Sequence, residues 1–120
     1  MNAYLTLQNS PRVKLAVKIG ASWRQIDCLI DTGFSSGLIL NQSHFPKPKT
    51  TPSVGKQEFE LADGSLVAFD MYLFAVKYQK QKKRLLTVFN GGSDNLVGIR
   101  FLENMVFTFD LKNKKVSLIT

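Results

Sequence analysis

The chain has 120 residues and a formal net charge of +7, with 44% hydrophobic and 21% charged residues. That length carries one compact domain, residues 1–120, and excludes two lobes with separate cores; the balance is too apolar for a disordered chain. A single cysteine, Cys28, excludes an internal disulfide and a single histidine, His44, excludes a multi-histidine metal site, so the side chains available for chemistry reduce largely to carboxylates and hydroxyls.

Met1 to Gln8 have neither the basic start nor the apolar run of a secretory signal, and no stretch is long enough to cross a bilayer; a cytoplasmic home without a membrane partner is expected. The first strong pattern follows. Val13, Leu15, Val17 and Ile19 alternate with Lys14, Ala16 and Lys18, which puts four branched side chains on one face of a strand. Gly20-Ala21-Ser22 reverses the chain into a second strand, Trp23 to Ile30, whose Ile26, Cys28 and Ile30 share a face. Trp23 and most of the nine phenylalanines are assigned to the core.

Leu38-Ile39-Leu40 is a short apolar run, and Asn41 to Gly55, with Pro46, Pro48 and Pro52, reads as loop. Glu58 to Leu61 and Leu66 to Phe69 flank Ala62-Asp63-Gly64-Ser65. An Asp-Gly pair between alternating runs predicts a hairpin with positive φ at both turn positions. Met71 to Tyr78 with Leu85 to Phe89 form a third pair, and Val106 to Leu111 with Val116 to Ile119 a fourth. Only Ile99 to Asn104 has a helical pattern. Many short strands with one small helix indicate an all-β barrel or sandwich.

The densest clusters of basic residues sit between apolar β-like runs. Lys77, Lys80, Lys82, Lys83 and Arg84 form one cluster and Lys112, Lys114 and Lys115 another; both read as solvated hairpin tips, so nucleic acid is not the expected partner. A basic nucleic-acid-binding β-domain stands as a minor competing class.

Asp31 directly follows the apolar run Cys28-Leu29-Ile30, where an ionised carboxylate is costly unless hydrogen bonds or a shared proton compensate. Thr32 adds a hydroxyl, and Gly33 lets the backbone turn tightly beside the acid. Cys28 reads as a small core residue, because no histidine lies near it in sequence to activate it.

Three ordered segments resemble retropepsin-like aspartic proteases, especially their single-domain bacterial members. Ile30-Asp31-Thr32-Gly33-Phe34-Ser35-Ser36-Gly37-Leu38-Ile39-Leu40 is similar to that family's active-site strand and loop. Leu61-Ala62-Asp63-Gly64-Ser65 resembles the tip of its flap hairpin, and Asn95-Leu96-Val97-Gly98-Ile99-Arg100-Phe101-Leu102 its second signature, a strand that threads the acid-bearing loop and leads into a short helix. Phe34 departs from the pattern, standing where retroviral enzymes carry a small residue and pepsins a serine.

The resemblance implies an acid-protease barrel with one short helix, a flap hairpin and an active site at a two-fold dimer interface. It implies an aspartic endopeptidase acting on peptide or protein substrates without metal or cofactor, with Asp31 catalytic, Thr32 and Gly33 in the active-site loop, and Ala62, Asp63, Gly64 and Ser65 in the flap. Since no second Asp-Thr-Gly or Asp-Ser-Gly exists in the chain, the second carboxylate is expected from another copy in a homodimer. A dimeric binding or scaffold domain of the same fold without hydrolytic activity is the alternative.

Overall fold

The computed structural model describes residues 3–43, 51–91 and 94–120; His44, Pro46 and Pro48 lie outside them. In chain order the elements are β1 (Ala3–Leu5), β2 (Pro11–Ile19), β3 (Ser22–Ile30), β4 (Leu38–Asn41), β5 (Gly55–Glu60), β6 (Leu66–Tyr78), β7 (Gln81–Asn90), β8 (Leu96–Val97), α1 (Ile99–Leu102), β9 (Val106–Asp110) and β10 (Lys115–Ile119). No helix among the described residues is long and apolar enough to cross a membrane.

The alternation in β2 and β3 does what period 2 requires. Val13, Leu15 and Val17 pack inward beside Ile26, Cys28 and Ile30, all at 5% exposure or less, with Val13 opposite Cys28 and Leu15 opposite Ile26. Each such buried aliphatic side chain contributes about 1.5–3 kcal/mol relative to an exposed one. The strands order as β1-β2-β3-β8-β4-β7-β6-β5, and β6 returns to β2 through Ala16 opposite Lys77 and Val17 opposite Val76. That last contact closes β2, β3, β8, β4, β7 and β6 into a barrel, with Leu38, Leu40, Phe74, Val76, Phe89, Val97 and Phe101 filling it. β9 and β10 form a separate two-stranded sheet, whose Val116 and Leu118 join the same core.

β8 is placed by tertiary structure. It inserts between β3 and β4, parallel to the first and antiparallel to the second, so the loop joining those strands, residues 31–37, must bridge over its end.

Four sequence expectations need correction. Trp23 is 42% exposed; its strand position alternates with the buried Ile26, Cys28 and Ile30, and its ring meets the Lys77 ammonium at 5.8 Å. The runs 66–69 and 71–78 form one continuous strand, because Asp70 pairs with Lys56 in an uninterrupted ladder. β5 begins at Gly55, three residues earlier than expected. Finally, Lys83 of the basic cluster is not a free solvated tip. Its ammonium donates to the Phe101 carbonyl at 2.6 Å and to the Glu103 carbonyl, tying β7 to the end of α1, and desolvation lowers its pKa.

Candidate active site

Asp31 sits at the end of β3, half-buried. Its backbone N–H donates to the Val97 carbonyl at 2.9 Å, just as Leu29 N–H donates to Asn95 at 2.8 Å, so β8 holds the acid from one side along the strand axis. Gly33 N–H donates to Asp31 Oδ1 at 2.9 Å and Phe34 N–H to the Asp31 carbonyl at 3.1 Å, which folds the loop tightly around the carboxyl group. A Cβ at position 33 would stand 3.2 Å from the same Oδ1. Thr32 and Gly33 are exposed.

The remainder of the loop is pinned by the start of α1. Gly98 N–H donates to Gly37 at 2.9 Å, Ile99 N–H to Phe34 at 2.9 Å and Arg100 N–H to Ser36 at 3.2 Å. This approach is only open to glycine at position 98, where a Cβ would lie 2.4 Å from the Ser36 carbonyl, 2.5 Å from the Phe34 carbonyl and 2.6 Å from the Phe34 ring. Five backbone hydrogen bonds shared with residues 95–100, more than sixty residues downstream, thus hold the end of β3 and the acid's loop from outside.

The hairpin of β5 and β6 carries Ala62, Asp63, Gly64 and Ser65 at its exposed tip. The predicted turn geometry is wrong in one respect: only Gly64 has positive φ, +85°. Gly64 N–H donates to Leu61 at 2.9 Å and Leu61 N–H to Ser65 at 2.8 Å, so the loop is longer than two residues and glycine alone takes the left-handed position. Asp63 instead organises the turn. Its Oδ1 accepts from the Ser65 hydroxyl at 2.6 Å and from the Ser65 N–H at 2.9 Å, the two bonds that hold its carboxyl below the usual range.

Two groups escaped the sequence reading. Phe34, 9% exposed, packs on Phe59 of β5 at 5.9 Å between ring centroids, and Phe59 on Phe69 of β6 at 5.8 Å in an edge contact. The acid's loop is therefore joined by three rings to the hairpin's tip-side half. Register could have revealed half of this, since Gln57 opposite Phe69 and Phe59 opposite Val67 put both hairpin rings on one face. The other group is ionic. Arg12 Nε donates to Asp27 Oδ1 at 2.6 Å and Arg12 Nη2 to Asp94 Oδ1 at 2.9 Å, while the Tyr4 hydroxyl donates to Asp27. Asn95 Nδ2 donates to the Asp27 carbonyl at 3.3 Å and its Oδ1 accepts from Asn41 N–H at 2.8 Å, so β3, β4 and the approach to β8 are bound together below the acid.

Cys28 is fully buried, and desolvation pushes its thiol well above the ordinary range; it packs in the core, as its place in β3 suggests. Among the described residues no group of three or more His, Cys, Asp or Glu side chains comes together. The arrangement presents one half-exposed carboxylate on a rigid loop, beside a hairpin anchored to it by aromatic contact.

No family model matches the chain, and no curated protein matches it. Among solved structures it is similar to a retropepsin-like aspartic protease from Rickettsia conorii, with a TM-score of 0.68 over 98% of this chain and 86% of that one, at 15% sequence identity. The likeness is one of fold: the chain has a retropepsin-like, mostly β architecture, with a single short helix among the described residues.

Proposed function

We propose that two copies of this chain form an aspartic endopeptidase in which the two Asp31 side chains, one from each copy, make the catalytic pair. The observation that carries this reading is the half-exposed Asp31 carboxylate held by Gly33 N–H in a loop braced by β8 and α1, within a retropepsin-like fold. One chain supplies one such acid, so the second comes across a two-fold axis on which the same surface meets itself.

Two carboxylates about 3 Å apart cannot both ionise and share one proton, the general behaviour of aspartic protease pairs. The ionised member takes a proton from a water molecule, which attacks the peptide carbonyl; the protonated member donates to the developing oxyanion, and the proton passes on to the leaving amine. The pair titrates as a unit, with activity highest on the acid side of neutrality. Thr32, exposed and without a hydrogen bond to the described residues of its own chain, braces the two loops against each other. The tip residues Ala62, Asp63, Gly64 and Ser65 close over the bound peptide, and the ring contact between Phe34 and Phe59 couples that closure to the acid's loop.

The test is digestion of a mixed peptide library at acidic and neutral pH, with and without pepstatin. Cleavage abolished by pepstatin and by Asp31→Asn supports the reading. Cleavage that survives Asp31→Asn, or an intact library at every pH, ends it.

A further inference from the structure

A cavity of about 640 Å³ opens beside the acid's loop, lined by Ser35 and Ser36 of that loop, Gln57 of β5, the β7 segment 83–86 and the residues around α1. It follows a strand edge without a strand partner. β7 pairs with β6 from Gln81 to Thr87, but with β4 only from Thr87 onward, so the edge of 81–85 facing away from β6 has no strand partner among the described residues, while Leu86 lies against Gly37 of the acid's loop. Such an edge offers backbone donors and acceptors to an extended peptide.

The charge of the lining is one-sided: Lys83, Arg84 and Arg100 against Glu103. These cations are committed to different degrees. Lys83 is bound by the Phe101 and Glu103 carbonyls. Arg100 pairs with Glu103 at 2.7 Å, but the two side chains are 66% and 49% exposed, a surface pair that water screens and an incoming anion can exchange. Arg84 is exposed and has no hydrogen bond or ion pair with the described residues. A pocket with a free guanidinium and a second one loosely held selects a carboxylate, which a guanidinium receives in two parallel hydrogen bonds.

We infer that this pocket receives an aspartate or glutamate side chain of the substrate, several residues from the cleaved bond, with Arg84 its principal charge partner and Arg100 its second. The inference rests on the endopeptidase reading, because the peptide must already lie between the acid's loop and the β5–β6 hairpin, the two elements that supply Ser35, Ser36 and Gln57 to the cavity. It makes Arg84 and Arg100 specificity residues and gives the protein's basic charge a role on the substrate path.

Two measurements keep its failure separate from that of the endopeptidase reading. In the library digest, cleaved sequences are expected to be enriched in Asp or Glu at one fixed place several residues from the cut. Arg84→Glu should turn that enrichment into depletion and favour Lys or Arg there. Asp31-dependent cleavage without acid preference, or with a preference that Arg84→Glu leaves intact, overturns the inference while leaving the enzyme standing. The second measurement needs no turnover: the Asp31→Asn protein is titrated by NMR with an alternating Ala-Glu peptide and an alternating Ala-Gln peptide. The Glu peptide should shift the amides of Ser35, Ser36, Gln57 and Leu86 and bind roughly tenfold more tightly, with the advantage shrinking at about 0.5 M salt and lost in the Arg84→Glu, Arg100→Gln variant. Equal binding of the two peptides, or shifts confined to other surfaces, overturns the proposal even if the library is never cut.

Discussion

At the scale of single residues, the acid's loop depends on positions where there is no room. Gly98 is the clearest, since a Cβ there would meet two backbone carbonyls at 2.4 and 2.5 Å and neither can retreat without breaking the hydrogen bonds that hold residues 34 and 36. Overpacking against backbone costs more than the usual 1–3 kcal/mol of a crowded core. Gly98→Ala is therefore expected to lower the melting temperature by at least ~10 °C, measured by calorimetry, and an unchanged melting curve would show that the loop and β8 are not packed as described. A second residue-scale prediction concerns acid. The Arg12 hydrogen bond holds the Asp94 carboxyl below its ordinary range, so the stabilisation is fully present above the unfolded pKa of about 3.9 and fades as pH falls through the folded value. Wild-type protein should lose melting temperature on that descent, and Asp94→Asn should lower the neutral-pH value slightly and flatten the acid limb. The effect is small, because the Asp94 side chain is 45% exposed and water screens it.

At the scale of elements, the β5–β6 hairpin is half strand pairing and half aromatic anchoring. Its own ladder runs from Gly55 opposite Met71 to Glu60 opposite Leu66, but all of β5 is exposed or half-buried, so little apolar burial holds it to the barrel. The Phe34–Phe59 contact supplies much of what does, and the Phe59–Phe69 contact packs the hairpin's own two strands together, each worth about 0.5–1.5 kcal/mol beyond area. Phe59→Ala should leave β2 and β3 protected in hydrogen exchange while amides of 55–60 and 66–69 exchange several-fold faster. If exchange in the hairpin does not change, the rings carry no coupling. The long strands β2, β3 and most of β6 were legible beforehand from alternation, as was the short helix, because both signals live within a few residues, whereas β1, the first half of β7 and the two-residue β8 were not. The turn at 62–65 was only partly so: Asp-Gly predicts a reversal correctly, but the Ser65 hydroxyl bond to Asp63 selects a longer loop in which a single residue, Gly64, has positive φ.

At the scale of the whole molecule, the proposed chemistry needs two copies, and a mixing experiment decides it without knowledge of the interface. Wild-type protein equilibrated with an equal amount of Asp31→Asn should lose roughly half of its activity per wild-type subunit, and about nine-tenths with a tenfold excess, by random pairing. Activity that ignores the mutant protein would mean each chain works alone. The β9–β10 hairpin, with Val106 61% and Ile119 61% exposed, belongs to this scale as well: it contributes Val116 and Leu118 to the core on one side and leaves an apolar border on the other.

What the sequence by itself determined was everything that period and local cost can encode: which faces of β2 and β3 turn inward, where the chain reverses, and that a carboxylate placed after Cys28-Leu29-Ile30 needs compensation. Tertiary structure alone decided which partners provide it. The insertion of β8 between β3 and β4, the Arg12–Asp94 contact across 82 residues, the inward turn of Lys83 and the seat of Phe34 on Gly98 and Phe59 have no local signature. The physical reason is that alternation reports the direction of a side chain relative to its own strand, whereas the group it meets is set by closure of the barrel, which brings together segments that no short window of sequence contains.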